Sequence, residues 1–174
     1  MNSARVWLWF NSGDDSMSML LKPNPENHCF GCGGANARGM QLTFEQNDVA
    51  QRIRGEFRIS ADYQGGPGFV HGGIIAMLLD EVMAKVSRFA GDHAVTAELT
   101  VEYLRPVKVD RDLIVEGWEV GRVGRKRSRE GEIRDASGAV LARGRGTFLE
   151  IDPARLRAAV ESQSAPQSPG DNKV

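Results

Sequence analysis

Residues 69–85 read FVHGGIIAMLLDEVMAK, and this stretch decides the fold. Its His-Gly-Gly turn opens a segment that is apolar almost all round from Ile74 to Val86. A helix with no polar face is typical of a buried position. The stretch therefore predicts one long buried helix from about Gly72 to Phe89, which ends before Gly91.

The segments on both sides of this helix alternate between apolar and polar residues, which is the pattern of half-buried strands. The predicted strands cover residues 40–45, 49–60, 95–103, 113–120, 125–134 and 140–151. The alternation over 95–103 places Leu99 and Val101 on one face and Thr96 on the other. One helix among six strands predicts an α+β fold, in which a curved antiparallel sheet of about six strands wraps around one long central helix. Because one helix cannot cover such a sheet, the pattern also favours dimerisation.

The composition limits the possible partners. The 174 residues are enough for one domain with a substantial core. A net charge of -1 gives no overall attraction to nucleic acid. No apolar run approaches the ~18 residues that span a bilayer. We therefore expect no nucleic-acid partner, no membrane partner and a cytoplasmic location.

The expected organisation has three parts. A flexible N-terminal segment covers residues 1–28, with Met17 and Met19 as alternative starts. The folded domain covers residues 29–152. Residues 153–174 are poor in aromatic side chains and are expected to form a frayed or disordered tail.

Cys29 and Cys32 form a Cys-x-x-Cys pair within a glycine-rich stretch. A structural zinc site needs four ligands, and the chain has no second pair of cysteines. The favoured interpretation is a glycine-rich turn with two small apolar side chains, and no metal is predicted. A zinc site completed by a dimer partner and a redox pair are the alternatives.

Asp80 stands out among the acidic residues because its neighbours on the helix surface are apolar. These neighbours, three and four positions away, are Ala76, Met77, Met83 and Ala84. An ionised carboxylate is costly to bury, so Asp80 should have a hydrogen-bond donor or a raised pKa. Glu81, in contrast, has Lys85 four residues later and can form an ordinary ion pair. Asp80 is the candidate catalytic carboxylate, and a buried structural aspartate is the alternative.

The start of the helix offers a second chemical group. Gly72 and Gly73 present unpaired N–H groups at the positive end of the helix dipole, where a developing oxyanion can be held. His71 precedes them, either as a local hydrogen-bonding group or as a catalyst. Gly72 and Asp80 are eight residues apart, about 12 Å along a helix. Since a base must lie ~3 Å from the reacting group, a shared site needs Asp80 from one subunit and Gly72 from another.

Several motifs together resemble the hot-dog-fold acyl-CoA thioesterases, in the branch related to the phenylacetate-pathway thioesterases. The resemblance covers roughly residues 29–150, and its motifs are CFGCG at 29–33, residues 36–42, YQGGPGFVHGG at 63–73, LDE at 79–81, YLRPV at 103–107 and GRK at 124–126. It implies a hot-dog fold, active sites at the interface of a homodimer, and an assembly that is either this homodimer or a dimer of dimers.

The resemblance also implies roles for individual residues. Asp80 corresponds to the family's nucleophile or general base, and Gly72 supplies the N–H that polarises the thioester carbonyl. His71 corresponds to the histidine before that glycine, and Thr96 to the strand hydroxyl that positions water. Gln64 is an approximate counterpart of an amide side chain that precedes the His-Gly-Gly turn in many relatives.

The implied activity is the hydrolysis of an acyl-CoA thioester to a free acid and coenzyme A. Coenzyme A takes part only as a portion of the substrate, and no cofactor or metal is required. Gly73 is expected at the substrate, and Arg125, Lys126 and Arg127 are expected to bind its phosphates. The main alternative is a non-catalytic acyl-CoA-binding or regulatory module of the same fold. A hydratase is disfavoured because the chain has no Asp-x-Asn-Pro-x-His arrangement.

Overall fold

The computed structural model describes residues 18–155 and 157–158. Within these ranges, seven strands form one antiparallel sheet in the order β1-β2-β3-β5-β6-β7-β4. The strands are β1 Ser18–Leu21, β2 Phe44–Asn47, β3 Arg52–Arg58, β4 Ala94–Tyr103, β5 Asp112–Val123, β6 Lys126–Asp135 and β7 Val140–Glu150. The helices are α1 Gly72–Lys85 and α2 Ser87–Ala90, with a 3₁₀ turn at Ala61–Tyr63. The predicted α+β architecture is confirmed.

All six predicted strands are present, with shifted ends, and β1 is an addition. It pairs with β2 through Ser18–Leu21, inside the N-terminal segment that was expected to be flexible. The expectations for residues 1–17 and for 159–174 lie outside the described residues.

Helix α1 forms the centre of the core, as its sequence predicts. Its buried residues are Ile75, Leu78, Leu79, Val82 and Met83. The helix contacts strands β3 to β7. After Val86 the chain continues into α2, which ends at Gly91 in the left-handed conformation, with φ of 64°. The predicted end of the helix at this glycine is confirmed, and it has the common geometry of a helix C-terminus. No helix in the described part of the chain is long and apolar enough to cross a bilayer.

A row of three glycines lies beneath α1. Gly117 of β5 pairs with Gly131 of β6, which pairs with Gly144 of β7. A Cβ atom on Gly117 would lie 3.0 Å from the carbonyl oxygen of Val82, and one on Gly144 would lie 3.1 Å from Cε of Met83. Side chains at these positions would push the helix away from the sheet, so the glycines allow the close packing that buries α1.

Strand β4 lies at one edge of the sheet and contains a β-bulge. Thr96 pairs with Phe148 and Glu98 pairs with Thr147, so one additional residue, Ala97, lies between the two pairs. The bulge places Thr96 on the same side as Leu99, which packs against the core. The simple alternation that put these two residues on opposite faces is therefore wrong, because an extra residue reverses the phase of the strand.

The other end of α1 is held by a buried arginine of β6. Arg129 donates hydrogen bonds to the carbonyl of Met83 and to Oγ of Ser87, each at 2.9 Å. Its guanidinium also lies 4.7 Å from the centre of the Phe148 ring. A cation at the carbonyl end of a helix satisfies unpaired acceptors and complements the helix dipole. Arg129 therefore fixes the C-terminal end of α1 against the sheet.

Candidate active site

The start of α1 is capped by His71. Its Nδ1 accepts a hydrogen bond from the N–H of Gly73 at 2.9 Å, and its backbone is extended, with φ of -60° and ψ of 137°. This is the geometry of an N-cap residue. One of the two predicted glycine donors is therefore occupied. The N–H of Gly72, at the first helical position, has no acceptor among the residues that the structure describes.

Two further side chains frame the helix start. Tyr103, at the end of β4, donates its hydroxyl hydrogen to the carbonyl of Gly72 at 3.0 Å. Gln64 accepts a hydrogen bond from the N–H of Gly68 at 3.1 Å and so closes the loop before the helix. Gln64 is a predicted site residue, whereas the sequence marks Tyr103 only as part of a motif. Its contact with Gly72 joins residues 31 positions apart, which sequence periodicity does not show.

Asp80 and Thr96, both predicted site residues, lie in contact. Thr96 donates its hydroxyl hydrogen to Oδ1 of Asp80 at 2.7 Å. Burial raises the pKa of the Asp80 carboxyl, the hydrogen bond from Thr96 opposes this shift, and the charge of Glu81 adds to it. A half-buried carboxylate with a raised pKa is a stronger base than an exposed one, and it is suited to accept a proton near neutral pH.

Asp80 and Gly72 do not share a site within one chain. Both belong to α1, which runs as a helix from Gly72 to Lys85, so eight residues separate them by about 12 Å. The N–H donor and the carboxylate thus lie at two separate places on the same helix.

The three predicted phosphate-binding residues differ in their surroundings. Arg125 and Lys126 are exposed at the turn between β5 and β6. Arg127 is only 1% exposed, and its guanidinium pairs with the carboxylates of Asp92 and Glu150. The burial of Arg127 does not fit the predicted contact with substrate phosphates, because these two carboxylates neutralise its guanidinium inside the protein.

Arg125 borders a surface depression of about 590 Å³ at the C-terminal end of α2. Its lining includes Ala90, Asp92, His93, Glu150 and Pro153. Within one chain, this depression lies at the opposite end of the helical segment from Gly72. The exposed arginine therefore does not reach the helix start of its own subunit.

The Cys-x-x-Cys pair packs against Glu81 and Lys85 of α1. Cys29 donates its thiol hydrogen to Oε1 of Glu81 at 3.0 Å, and Nζ of Lys85 lies 2.9 Å from the sulfur of Cys32. Burial raises the pKa of the Cys32 thiol to about 12. A protonated, buried thiol is a poor nucleophile, so this environment does not favour the redox interpretation.

Comparison with known proteins relates this geometry to a family. Residues 67–142 match the family model of the thioesterase superfamily. Acyl-coenzyme A thioesterase THEM4 of Rattus norvegicus is 28% identical over 116 residues, which cover 66% of this chain and 50% of that protein. The chain thus spans about half the length of the curated relatives it matches.

Solved structures show the same fold. The crystal structure of a thioesterase superfamily protein is 34% identical, has a TM-score of 0.66, and matches over 70% of this chain and 60% of that one. The smu.793 protein of Streptococcus mutans, bound to acetyl-CoA, is 22% identical with a TM-score of 0.56, over 58% of this chain and 82% of that one. The predicted hot-dog fold is confirmed, and the segment that carries Gly72, Asp80 and Thr96 is similar to the thioesterase superfamily.

Proposed function

We propose that this protein is an acyl-CoA thioesterase that hydrolyses its substrate to a free acid and coenzyme A. The observation that carries the proposal is the hydrogen bond of 2.7 Å from Thr96 to the half-buried carboxylate of Asp80. It lies within the segment that matches the thioesterase superfamily. The phenylacetate-related branch of the family remains a prediction.

The proposed reaction uses two groups with distinct tasks. The N–H of Gly72 donates a hydrogen bond to the thioester carbonyl and stabilises the negative charge that develops on its oxygen. Asp80 either deprotonates a water molecule that attacks the carbonyl carbon or attacks this carbon itself and is released by water. The carbon–sulfur bond breaks, and coenzyme A leaves as the thiol once its sulfur is protonated. Thr96 orients the carboxylate.

A homodimer, alone or paired into a tetramer, would bring the N–H of Gly72 and the carboxylate of Asp80 together. The roughly 12 Å between Gly72 and Asp80 requires that a second chain supply one of them. Strand β4 supports this assembly, because it is a ten-residue edge strand with exposed apolar side chains at Val95 and Tyr103. A long exposed edge with apolar residues is a surface that another chain can cover.

The proposed substrate is a coenzyme A thioester because the relatives are acyl-coenzyme A thioesterases and a solved neighbour binds acetyl-CoA. Arg125 and Lys126 are proposed to contact its phosphates. Replacement of both by alanine should raise KM for acyl-CoA and leave turnover of the matching N-acetylcysteamine thioester, which has no phosphates, unchanged. An equal effect on both substrates would contradict this role.

A thiol-release assay over a panel of aryl and fatty acyl-CoAs tests the activity. Asp80→Asn should preserve the folded dimer and lower kcat/KM at least about 100-fold, the lower range for loss of acid–base assistance. An Asp80→Asn protein with the parental rate would overturn the mechanism. Binding of acyl-CoA without turnover across the whole panel would instead identify the non-catalytic module.

Complementation between two inactive variants tests the shared site. Gly72→Pro removes the N–H at a helix position that tolerates proline, and Gly72→Ala keeps the N–H as its control. A Cβ atom at Gly72 would lie 3.5 Å from the Tyr103 hydroxyl, an ordinary contact. Gly72→Pro should lose about 100- to 1,000-fold in kcat. Mixed dimers of Gly72→Pro and Asp80→Asn chains contain one intact site and should regain activity. No recovery on mixing would contradict a site made by two chains.

A further inference from the structure

The Cys-x-x-Cys loop and helix α1 bring three metal-ligating side chains together, outside the proposed active site. The sulfur atoms of Cys29 and Cys32 and a carboxylate oxygen of Glu81 all lie within 4.8 Å of one another. The contacts cross more than fifty positions of sequence, from Cys29 to Glu81. The glutamate is the additional ligand that the sequence did not associate with the cysteines.

The loop is shaped to place both sulfurs against Glu81. The N–H of Cys29 donates to Oδ1 of Asn27 at 2.8 Å, and the N–H of Gly33 donates to the carbonyl of Cys29 at 3.0 Å. A Cβ atom at Gly31 would lie 2.6 Å from Oε1 of Glu81. Only glycine at this position lets the carboxylate reach the space between the cysteines.

The charges of this cluster, with the nearby lysine, would sum to zero if a divalent cation were bound. Two thiolates and one carboxylate carry three negative charges, and a divalent ion carries two positive ones. Lys85 supplies the third positive charge, with its Nζ 2.9 Å from the sulfur of Cys32 and 3.9 Å from Glu81. A net charge of zero is favourable at this cluster, because Cys32 is buried and an uncompensated charge beside it would be costly.

We propose that Cys29, Cys32 and Glu81 bind one zinc ion, with water as the fourth ligand and Lys85 as the balancing charge. Thiolate ligands select zinc over the hard cations magnesium and calcium. Binding would release the two thiol protons to solvent and leave the oxidation state of every atom unchanged. The ion would fasten the Cys-x-x-Cys loop to α1 on a side of the helix different from the one that carries Asp80. This structural role does not depend on the proposed thioesterase activity.

Zinc content and cobalt spectroscopy on the full chain test the proposal. We expect one zinc per chain after purification and dialysis against a mild chelator. The apoprotein should bind cobalt with a thiolate-to-cobalt charge-transfer band and tetrahedral ligand-field bands. Cys29→Ser and Cys32→Ser should lose these bands, and Glu81→Gln should weaken zinc binding more than about 10-fold.

The neighbouring carboxylate provides the matched control. Asp80→Asn removes one negative charge from the same helix and should bind zinc as the parent does. A zinc content near zero per chain would overturn the proposal. So would a thiolate-to-cobalt band that persists in both Cys29→Ser and Cys32→Ser. A Cys29–Cys32 disulfide in the purified protein, seen as a mass two hydrogens lower, would overturn it in favour of the redox interpretation.

Glu81→Gln keeps the size of the side chain and both thiols, so it tests the site even if a serine variant fails to fold. Circular dichroism reports its folding. Failure of zinc binding would leave the thiol-release result for Asp80 unaffected, and an inactive parent protein would leave the zinc result unaffected.

Discussion

Asp80 and Glu81 are adjacent carboxylates of one helix with different surroundings. Asp80 faces the edge strand β4, where its partner is the hydroxyl of Thr96 and burial raises its pKa. Glu81 faces the Cys-x-x-Cys loop, where Cys29 donates to it and Lys85 lies 3.9 Å away. The first carboxylate has no cation beside it among the described residues, and the second has one. The difference shows how a step of one residue, about 100° around a helix, separates a carboxylate held by a hydroxyl from one held by a thiol and a nearby cation.

The largest expected effect comes from the glycine row, because both environments depend on how closely α1 lies to the sheet. Gly117→Val would place a side chain 3.0 Å from the carbonyl oxygen of Val82. We expect a loss of about 1–3 kcal/mol in the free energy of unfolding, measured by denaturant titration. Gly121→Val, on the same strand, is the control, because a Cβ atom at Gly121 would meet nothing within 4 Å. Equal stability of the two variants would show that α1 does not need the row.

The next largest effect concerns the surroundings of Asp80 and the pH dependence of the proposed activity. Thr96→Ala removes the hydrogen bond that opposes the raised pKa of Asp80. The carboxylate must be ionised to act, so the acidic limb of the kcat/KM profile should move to higher pH. A move of one pH unit would lower the rate at a fixed pH on that limb about 10-fold. Thr100→Ala, which replaces another threonine of the same strand, is the control and should not move the acidic limb of the kcat/KM profile. If the acidic limb of Thr96→Ala did not move, the Thr96 hydroxyl would not control the pKa of the Asp80 carboxyl.

A smaller effect concerns the start of α1. His71→Ala removes the acceptor for the N–H of Gly73 and should cost about 1 kcal/mol of stability, measured by denaturant titration. His71→Asn should restore the stability, because asparagine is among the preferred N-cap residues. If His71→Asn were stable but lost its thioesterase activity, the imidazole would have a role beyond the cap.

The smallest expected effect is a gain. A raised pKa means that the folded protein holds the Asp80 proton more tightly than the unfolded chain, so stability falls as pH rises from the ordinary value of 3.8 through the raised one. At neutral pH the Asp80 carboxyl is therefore destabilising, and Asp80→Asn should raise Tm by on the order of 2 °C. The gain should vanish below pH 3.8. A lower Tm for Asp80→Asn at neutral pH would contradict the burial argument.

The sequence predicts the regular parts of this protein because periodicity is local. The apolar stretch from Ile74 to Val86 and the alternating strands each carry their own signal. The facing of Thr96 was predicted wrongly, because the bulge depends on pairing with β7. The burial of Arg127 has no local signal, because its partners, Asp92 and Glu150, lie 35 and 23 positions away. The predicted ion pair of Glu81 with Lys85 is present. The contact of Glu81 with a thiol has no local signal, since Cys29 is distant in sequence.

The bulge in β4 has a consequence for how chains of this kind vary in length. Ala97 lets one face of a strand serve the apolar core at Leu99 and a polar site at Thr96. Loss of this one residue would leave Thr96 and Leu99 two positions apart, and regular alternation would then keep both side chains on the face toward the helix. A strand that is one residue shorter can therefore hold the same hydroxyl beside the same carboxylate without a bulge. Pairing of the full-length strand without the bulge would, in contrast, turn Val95 toward the helix and the hydroxyl away from it.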